Sequence, residues 1–184
     1  TNFEDSLNLY HLATSDVYQL PPVDAIKLTS HAKKKNRSLY QVLTSLESTD
    51  IEITEESKAI IQKLMEDLEE AIKLARRENV GRVAYDFLKR SGYLQRLERK
   101  GGVEGQIKIQ NIAKFFDKIK EFTDVAKVES VAQFVDYLEA VRGAGDDPAT
   151  VEFDPETDAV NVMTVHGAKG LEFSVVFLVG LVAD

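Results

Sequence analysis

Glu55-Glu56-Ser57-Lys58-Ala59-Ile60-Ile61-Gln62-Lys63-Leu64-Met65-Glu66-Asp67-Leu68-Glu69-Glu70-Ala71-Ile72-Lys73-Leu74-Ala75 is the stretch that decides the fold class. Ile61, Leu64, Leu68, Ala71, Ile72 and Ala75 recur at three- and four-residue steps, which gathers them into one stripe of an α-helix. The opposite face is almost wholly charged. Thr54 stands where an N-cap is needed, and Glu55 and Glu56 follow where a helix N-terminus favours negative charge. Gly81 offers a stop, so the spacing predicts a helix from Glu55 to about Asn79.

The same pattern extends outward in both directions. Upstream, Phe3 to Ala13 is apolar at Phe3, Leu7, Leu9 and Tyr10 and ends near Thr14-Ser15. Pro21-Pro22 can open a helix carrying Val23, Ile26, Leu28 and Ala32, because proline fits a first helical turn. Ser38 is the candidate cap for Leu39 to Leu46. Downstream, Arg82 to Arg90 forms a shorter helix with Val83, Phe87 and Leu88 inward, broken at Gly92. Gly101-Gly102 and Gly105 predict a mobile turn before a helix striped with Ile109, Ile112, Phe116 and Ile119. Ser130 caps a last helix, Val131 to Arg142, with Phe134, Val135, Leu138 and Val141 inward. Aromatics at this spacing, Phe115 and Tyr137 included, are read as core rather than as base-stacking platforms.

Residues 143–158 break the pattern. Gly143-Ala144-Gly145-Asp146-Asp147-Pro148 and the acidic stretch to Asp158 bury too little apolar area to offset chain ordering, so a hinge-like linker is expected. Asp146, Asp147 and Asp154 surround no plausible pocket, and His11 and His31 have no partners at ligand spacing, so no metal site is expected. The absence of cysteine excludes disulfides and thiolate metal sites and is compatible with a reducing cytoplasm. No apolar run reaches membrane-spanning length, and the N-terminus shows no cationic, apolar leader.

The net charge of −8 argues against nucleic-acid binding over the whole surface, but the charge is unevenly spread. Residues 81–120 hold ten Lys/Arg against four Asp/Glu, whereas residues 121–158 hold two against eleven. Arg82, Lys89, Arg90, Arg96, Arg99 and Lys100 therefore form a candidate band for duplex backbone, with salt-sensitive and sequence-blind contacts. Solvated helix faces are the plainer reading of the same residues. Lys33-Lys34-Lys35 with Arg37 is a second basic cluster, and helix termination accounts for it, since cations favour a helix C-terminus.

Chemistry concentrates near the other end, at Val162-Met163-Thr164-Val165-His166-Gly167-Ala168-Lys169-Gly170-Leu171-Glu172-Phe173. Val160 to Val165 alternates as a strand does, and Val175-Val176-Phe177-Leu178-Val179 reads as a buried strand. Between them, glycines and a lysine in a tight loop offer backbone N–H groups and one ammonium to an anion such as a phosphate.

The segment resembles motif V of the UvrD/Rep/PcrA-like DNA helicases of superfamily 1: a hydrophobic strand, Thr-x-His-x-Ala-Lys-Gly-Leu-Glu-Phe, and a second apolar strand. The Leu20-Pro21-Pro22 turn, the Ser91-Gly92-Tyr93-Leu94 break and the helix at Asn111 to Phe116 agree more softly. The resemblance implies a mainly α fold: a helical 2B-like subdomain over 1–142, the acidic hinge over 143–158, and a short C-terminal β appendage over 159–184 from an incomplete RecA-like motor domain. It implies single-stranded DNA contact at Thr164, His166 and Lys169, and nucleotide contact at Gly170 and Glu172.

No Gly-x-x-x-x-Gly-Lys-Ser/Thr loop is present, and no acidic pair in the family's magnesium-holding motif, so this chain is expected to have no catalytic residues and no cofactor of its own. ATP and magnesium would belong to a larger parent, with DNA and the rest of the motor as partners. Self-association through the terminal strands is a further expectation, in a cytoplasmic setting without membrane contact. One departure stands out: relatives place a glycine hairpin after the first proline turn, and here Pro22-Val23-Asp24-Ala25-Ile26 has none. Asp24 would repel a phosphate there, which shifts any duplex contact to Arg82 through Lys120. The competing reading is a free-standing helical protein-interaction module without a DNA role.

Overall fold

The computed structural model describes residues 3–126, 129–143, 160, 162, 164 and 168–178. Every regular element among them is helical: α1 (Phe3–Thr14), α2 (Pro22–Lys34), α3 (Leu39–Thr44), a single 3₁₀ turn (Leu46–Ser48), α4 (Glu55–Ala75), α5 (Val80–Arg90), α6 (Tyr93–Lys100), α7 (Gly102–Val125) and α8 (Val131–Gly143). The chain divides into two compact units, Thr1–Val151 and Glu152–Asp184. Among the described residues no helix is long and apolar enough to cross a membrane.

The helix starts follow from capping chemistry. Ser38 accepts from Gln41 N while the Gln41 side chain accepts from Ser38 N, a complete capping box at α3. Thr54 Oγ1 accepts from Ser57 N at 3.1 Å to open α4. That helix stops at Ala75 rather than near Asn79. Asn79 instead caps α5, its Oδ1 accepting from Arg82 N at 2.9 Å. Gly81 does not end α4 either. It lies in the first turn of α5, where an added Cβ would sit 3.4 Å from Ile119 Cγ2, so the small residue lets α5 approach α7 closely.

Two apolar clusters hold the first unit together. Leu28, Val42, Ile61 and Leu64, all nearly inaccessible, knit α2, α3 and α4, with Leu9 and Ala13 of α1 added. Burying a side chain such as Leu64 contributes roughly 2 kcal/mol before chain entropy is counted. Val80, Ile119, Phe122 and Phe134 form the second cluster, joining α5, α7 and α8. Phe134 lies 5.7 Å from Phe115 and 5.4 Å from Phe122, centroid to centroid, and Tyr137 packs against both Phe122 and Phe134. Phe115 and Tyr137 are therefore packed residues. Val135 was expected inward but is exposed.

Two expectations are overturned. Gly101 and Gly102 do redirect the chain at φ +56° and +70°, but Gly102 already begins α7 and Gly105 is buried inside it. A Cβ at Gly105 would stand 3.5 Å from the Leu97 carbonyl oxygen, an ordinary contact, so Gly105 is a packed helical position of α7 against α6 rather than part of the turn. The β appendage is also not found: among residues 160, 162, 164 and 168–178 there is no strand, and Val175 to Leu178 are exposed. The physical reason is that β-branched residues favour extended backbone but make a strand only when a neighbour takes up their N–H and C=O groups. The segment includes two local backbone hydrogen bonds, Ala168 N to Thr164 O and Leu171 N to Ala168 O, each 3.0 Å. The other positions of the expected strands, and nearly all of the expected linker with Asp146, Asp147 and Asp154, lie outside the described residues.

Candidate nucleic-acid interface

The basic band rests on α5 and α6, and all six of its side chains are exposed. Arg82 and Lys89 are seven residues apart, two helical turns, so they share one side of α5. The six are not equivalent. Arg90 Nε donates to Asp86 Oδ2 at 2.6 Å, an i,i+4 pair that raises the guanidinium pKa. Lys100 pairs with Glu104 at 3.0 Å. Arg96 Nη1 donates to the Ser91 carbonyl at 3.0 Å and Nη2 to the Val17 carbonyl, while the guanidinium lies 5.8 Å from the Tyr93 ring centroid. Arg96 thus brackets the α1–α2 connection to α6. Among the described residues, Arg82, Lys89 and Arg99 carry no ion pair and remain available to an anion.

Next to the band lies a cleft of about 440 Å³ lined by Gln19, Tyr93, Arg96, Arg99, Lys100 and Lys108, with Asp16 and Glu104 at its edge. Lys108 is shared between Asp16 and Glu104, and those hydrogen bonds raise its pKa. Lys100 and Lys108 together hold the Glu104 carboxyl below the usual carboxylate range. The sequence reading missed this ionic chain. Its signal was present in the i,i+4 spacing of Lys100, Glu104 and Lys108, although nothing local could bring in Asp16.

The glycine-free turn is resolved differently from the expectation. Asp24 does not face outward to repel a phosphate; its carboxylate is buried, 3% exposed, at the start of α4. It accepts from Ser57 Oγ at 2.7 Å, Thr54 N at 3.1 Å and Lys27 Nζ at 3.1 Å. The Ser57 hydroxyl and the Thr54 amide, ahead of the Lys27 ammonium, hold its pKa well below the ordinary value.

In the second unit, Thr164, Lys169, Gly170 and Glu172 are all exposed. Ala168 to Leu171 forms a turn closed by the Leu171 N to Ala168 O bond, with Gly170 at φ +87° in its third position. Such a turn needs φ > 0 there, which is glycine's role. His166 lies outside the described residues. Among the described residues no group of three or more His, Asp or Glu gathers around one point.

An apolar groove of about 630 Å³ runs between α5, α7 and α8, lined by Phe87, Ile112, Phe115, Phe134 and Leu138 among others. Asn111 Oδ1 is buried beside it and, among the described residues, has no hydrogen-bond partner.

A family model described as the UvrD-like helicase C-terminal domain matches residues 5–184. The chain belongs to that family. UvrD-like relatives include the ATP-dependent DNA helicase PcrA of Staphylococcus epidermidis, 24% identical over 98% of this chain. The PcrA helicases of Staphylococcus aureus strains Mu50 and COL are each 26% identical over the same share. In each case the match covers 24% of the relative, so the chain spans about a quarter of the length of the curated relatives it matches. No solved structure matches.

Proposed function

We propose that this UvrD-like chain is a non-catalytic part of an ATP-driven DNA helicase, in which the helical unit meets duplex DNA or a protein partner and the Thr164–Glu172 loop couples nucleotide state to single-stranded DNA. The observation that carries this reading is the similarity, over 98% of the chain, to proteins named ATP-dependent DNA helicase. ATP and magnesium are held elsewhere in the parent. Within this chain, Thr164, His166 and Lys169 take the DNA backbone through hydroxyl, imidazole and ammonium donors. Gly170 and Glu172 lie toward the nucleotide, and Arg82, Lys89 and Arg99 lead the duplex contact.

The test is made in the intact reading frame that carries the chain. Thr164→Ala combined with Lys169→Ala lowers DNA-stimulated ATP turnover about tenfold, the equivalent of roughly 1.4 kcal/mol, and spares turnover without DNA. Unchanged stimulation would remove the coupling role. The apolar groove beside Asn111 favours a second reading, a helical protein-interaction module. Absence of DNA binding by the 184-residue chain even at low salt would favour that module instead.

A further inference from the structure

We propose that the C-terminal end of α2, Lys33-Lys34-Lys35 with Arg37, is a second phosphodiester-binding surface, separate from the α5–α6 band. It rests on the DNA reading above and adds a site to it. These cations are not needed to cap α2 with side-chain hydrogen bonds, because the backbone closes the helix by itself, which leaves the helix dipole as their local attraction. Lys35 N donates to His31 O, Asn36 N to Lys33 O and Arg37 N to Ala32 O, at 2.9, 3.1 and 2.9 Å. Asn36 takes φ +50°, so this is the Schellman arrangement, in which main-chain amides satisfy the last carbonyls. Among the described residues none of these lysine side chains is spent on a carbonyl.

Nor are they spent on carboxylates. In a chain with 31 acidic residues, the lysines at 27, 58, 63, 73, 100, 108 and 118 each pair with a neighbouring Asp or Glu. Lys33, Lys34 and Lys35 are exposed and, among the described residues, have no such partner. Arg37 only donates to the Gln41 carbonyl at 3.0 Å. Four cations within five residues repel one another, and among the described residues no carboxylate pairs with them; the C-terminal dipole of α2 is the attraction they have.

Lys33 and Arg37 also flank a cleft of about 450 Å³ bordered by Ser6, Tyr10 and Asn36. The Tyr10 hydroxyl is uncommitted among the described residues, and the Ser6 Oγ only accepts, from Leu39 N. Hydroxyl donors beside unpaired cations suit the non-bridging oxygens of a phosphodiester, and contacts to the backbone alone carry no sequence information.

The experiment compares the wild-type 184-residue chain, Lys33→Gln/Lys34→Gln/Lys35→Gln, the same three positions changed to Arg, and Arg82→Gln/Lys89→Gln/Arg99→Gln. Each is titrated against a duplex of roughly 20 base pairs, a single strand of equal length, and polyglutamate, from about 50 to 200 mM salt. The glutamine variant at α2 loses about tenfold or more in affinity, its log–log salt slope falls by about 3, and the arginine variant retains both. Duplex and single strand are separated by which of them shows the loss. If the α2 glutamine variant binds DNA like wild type while the α5–α6 variant does not, the second surface is wrong and the first reading stands. If the wild type binds neither nucleic acid, both fall. Polyglutamate binding that matches DNA and is lost in the α2 variant overturns the nucleic-acid assignment in favour of an acidic protein. Circular dichroism confirms that these exposed substitutions leave the helices intact.

Discussion

At the residue scale, Asp24 shows how far a single side chain can depart from its sequence-level reading. From sequence it is a surface acid in a turn; in the fold its carboxylate gathers the start of α4 onto the start of α2. The difference arises because its partners, Thr54 and Ser57, are about 30 residues away, and local pattern carries no such information. Ser57 is fully buried, and Ser57→Ala removes the shortest of these bonds, costing about 1–2 kcal/mol in urea unfolding. The acid response follows from the lowered pKa of Asp24. Below its ordinary value of 3.8 the unfolded chain takes up a proton that the folded chain refuses. The stabilisation is therefore complete well above pH 4 and is lost as pH falls through the folded value. The stability gap between wild type and Asp24→Asn should narrow between about pH 6 and pH 3. A gap independent of pH would show that the carboxylate's charge is not what matters.

At the element scale, the helices were legible wherever an apolar stripe and a capping residue coincided, as for α3, α4 and α8. Boundaries were less so. Asn79 and Gly81 read as the tail of one helix and a stop, yet Asn79 caps the next helix and Gly81 serves a close contact with Ile119. Helix α6 was missed because it is only eight residues long, Tyr93–Lys100, between two glycines, so its short stripe of Tyr93, Leu94 and Leu97 spans barely two turns. The terminal runs read as strands from their β-branched content, but side-chain preference does not supply a hydrogen-bonding neighbour. Within α4, Leu64→Ala removes a side chain of 0% exposure and is expected to cost roughly 2–5 kcal/mol by chemical denaturation. A loss under about 1 kcal/mol would mean the surrounding helices collapse onto the space.

At the scale of the whole molecule, two separate apolar clusters imply two levels of cooperativity. Phe134→Ala disrupts the aromatic contacts joining α7 to α8 and should cost about 3–5 kcal/mol locally. Amide exchange then quickens in α7 and α8 while α4 stays protected; uniform loss of protection would show that the clusters unfold as one. Family membership was legible from one dozen-residue segment, because its fixed positions specify a motif rather than a periodicity. The basic residues were legible only as charge. Sequence could not separate Arg90, Arg96 and Lys100, which are held internally, from Arg82, Lys89 and Arg99, since that depends on rotamer and tertiary position. The link between Tyr18 and Asp67 has a practical use. The phenol donates to a buried carboxylate at 3.0 Å in a chain without tryptophan. An acceptor of that kind quenches tyrosine emission, so the part of the brightening near 300 nm on unfolding that Tyr18→Phe removes, among six tyrosines, gives an optical readout of the Tyr18–Asp67 link without any attached dye.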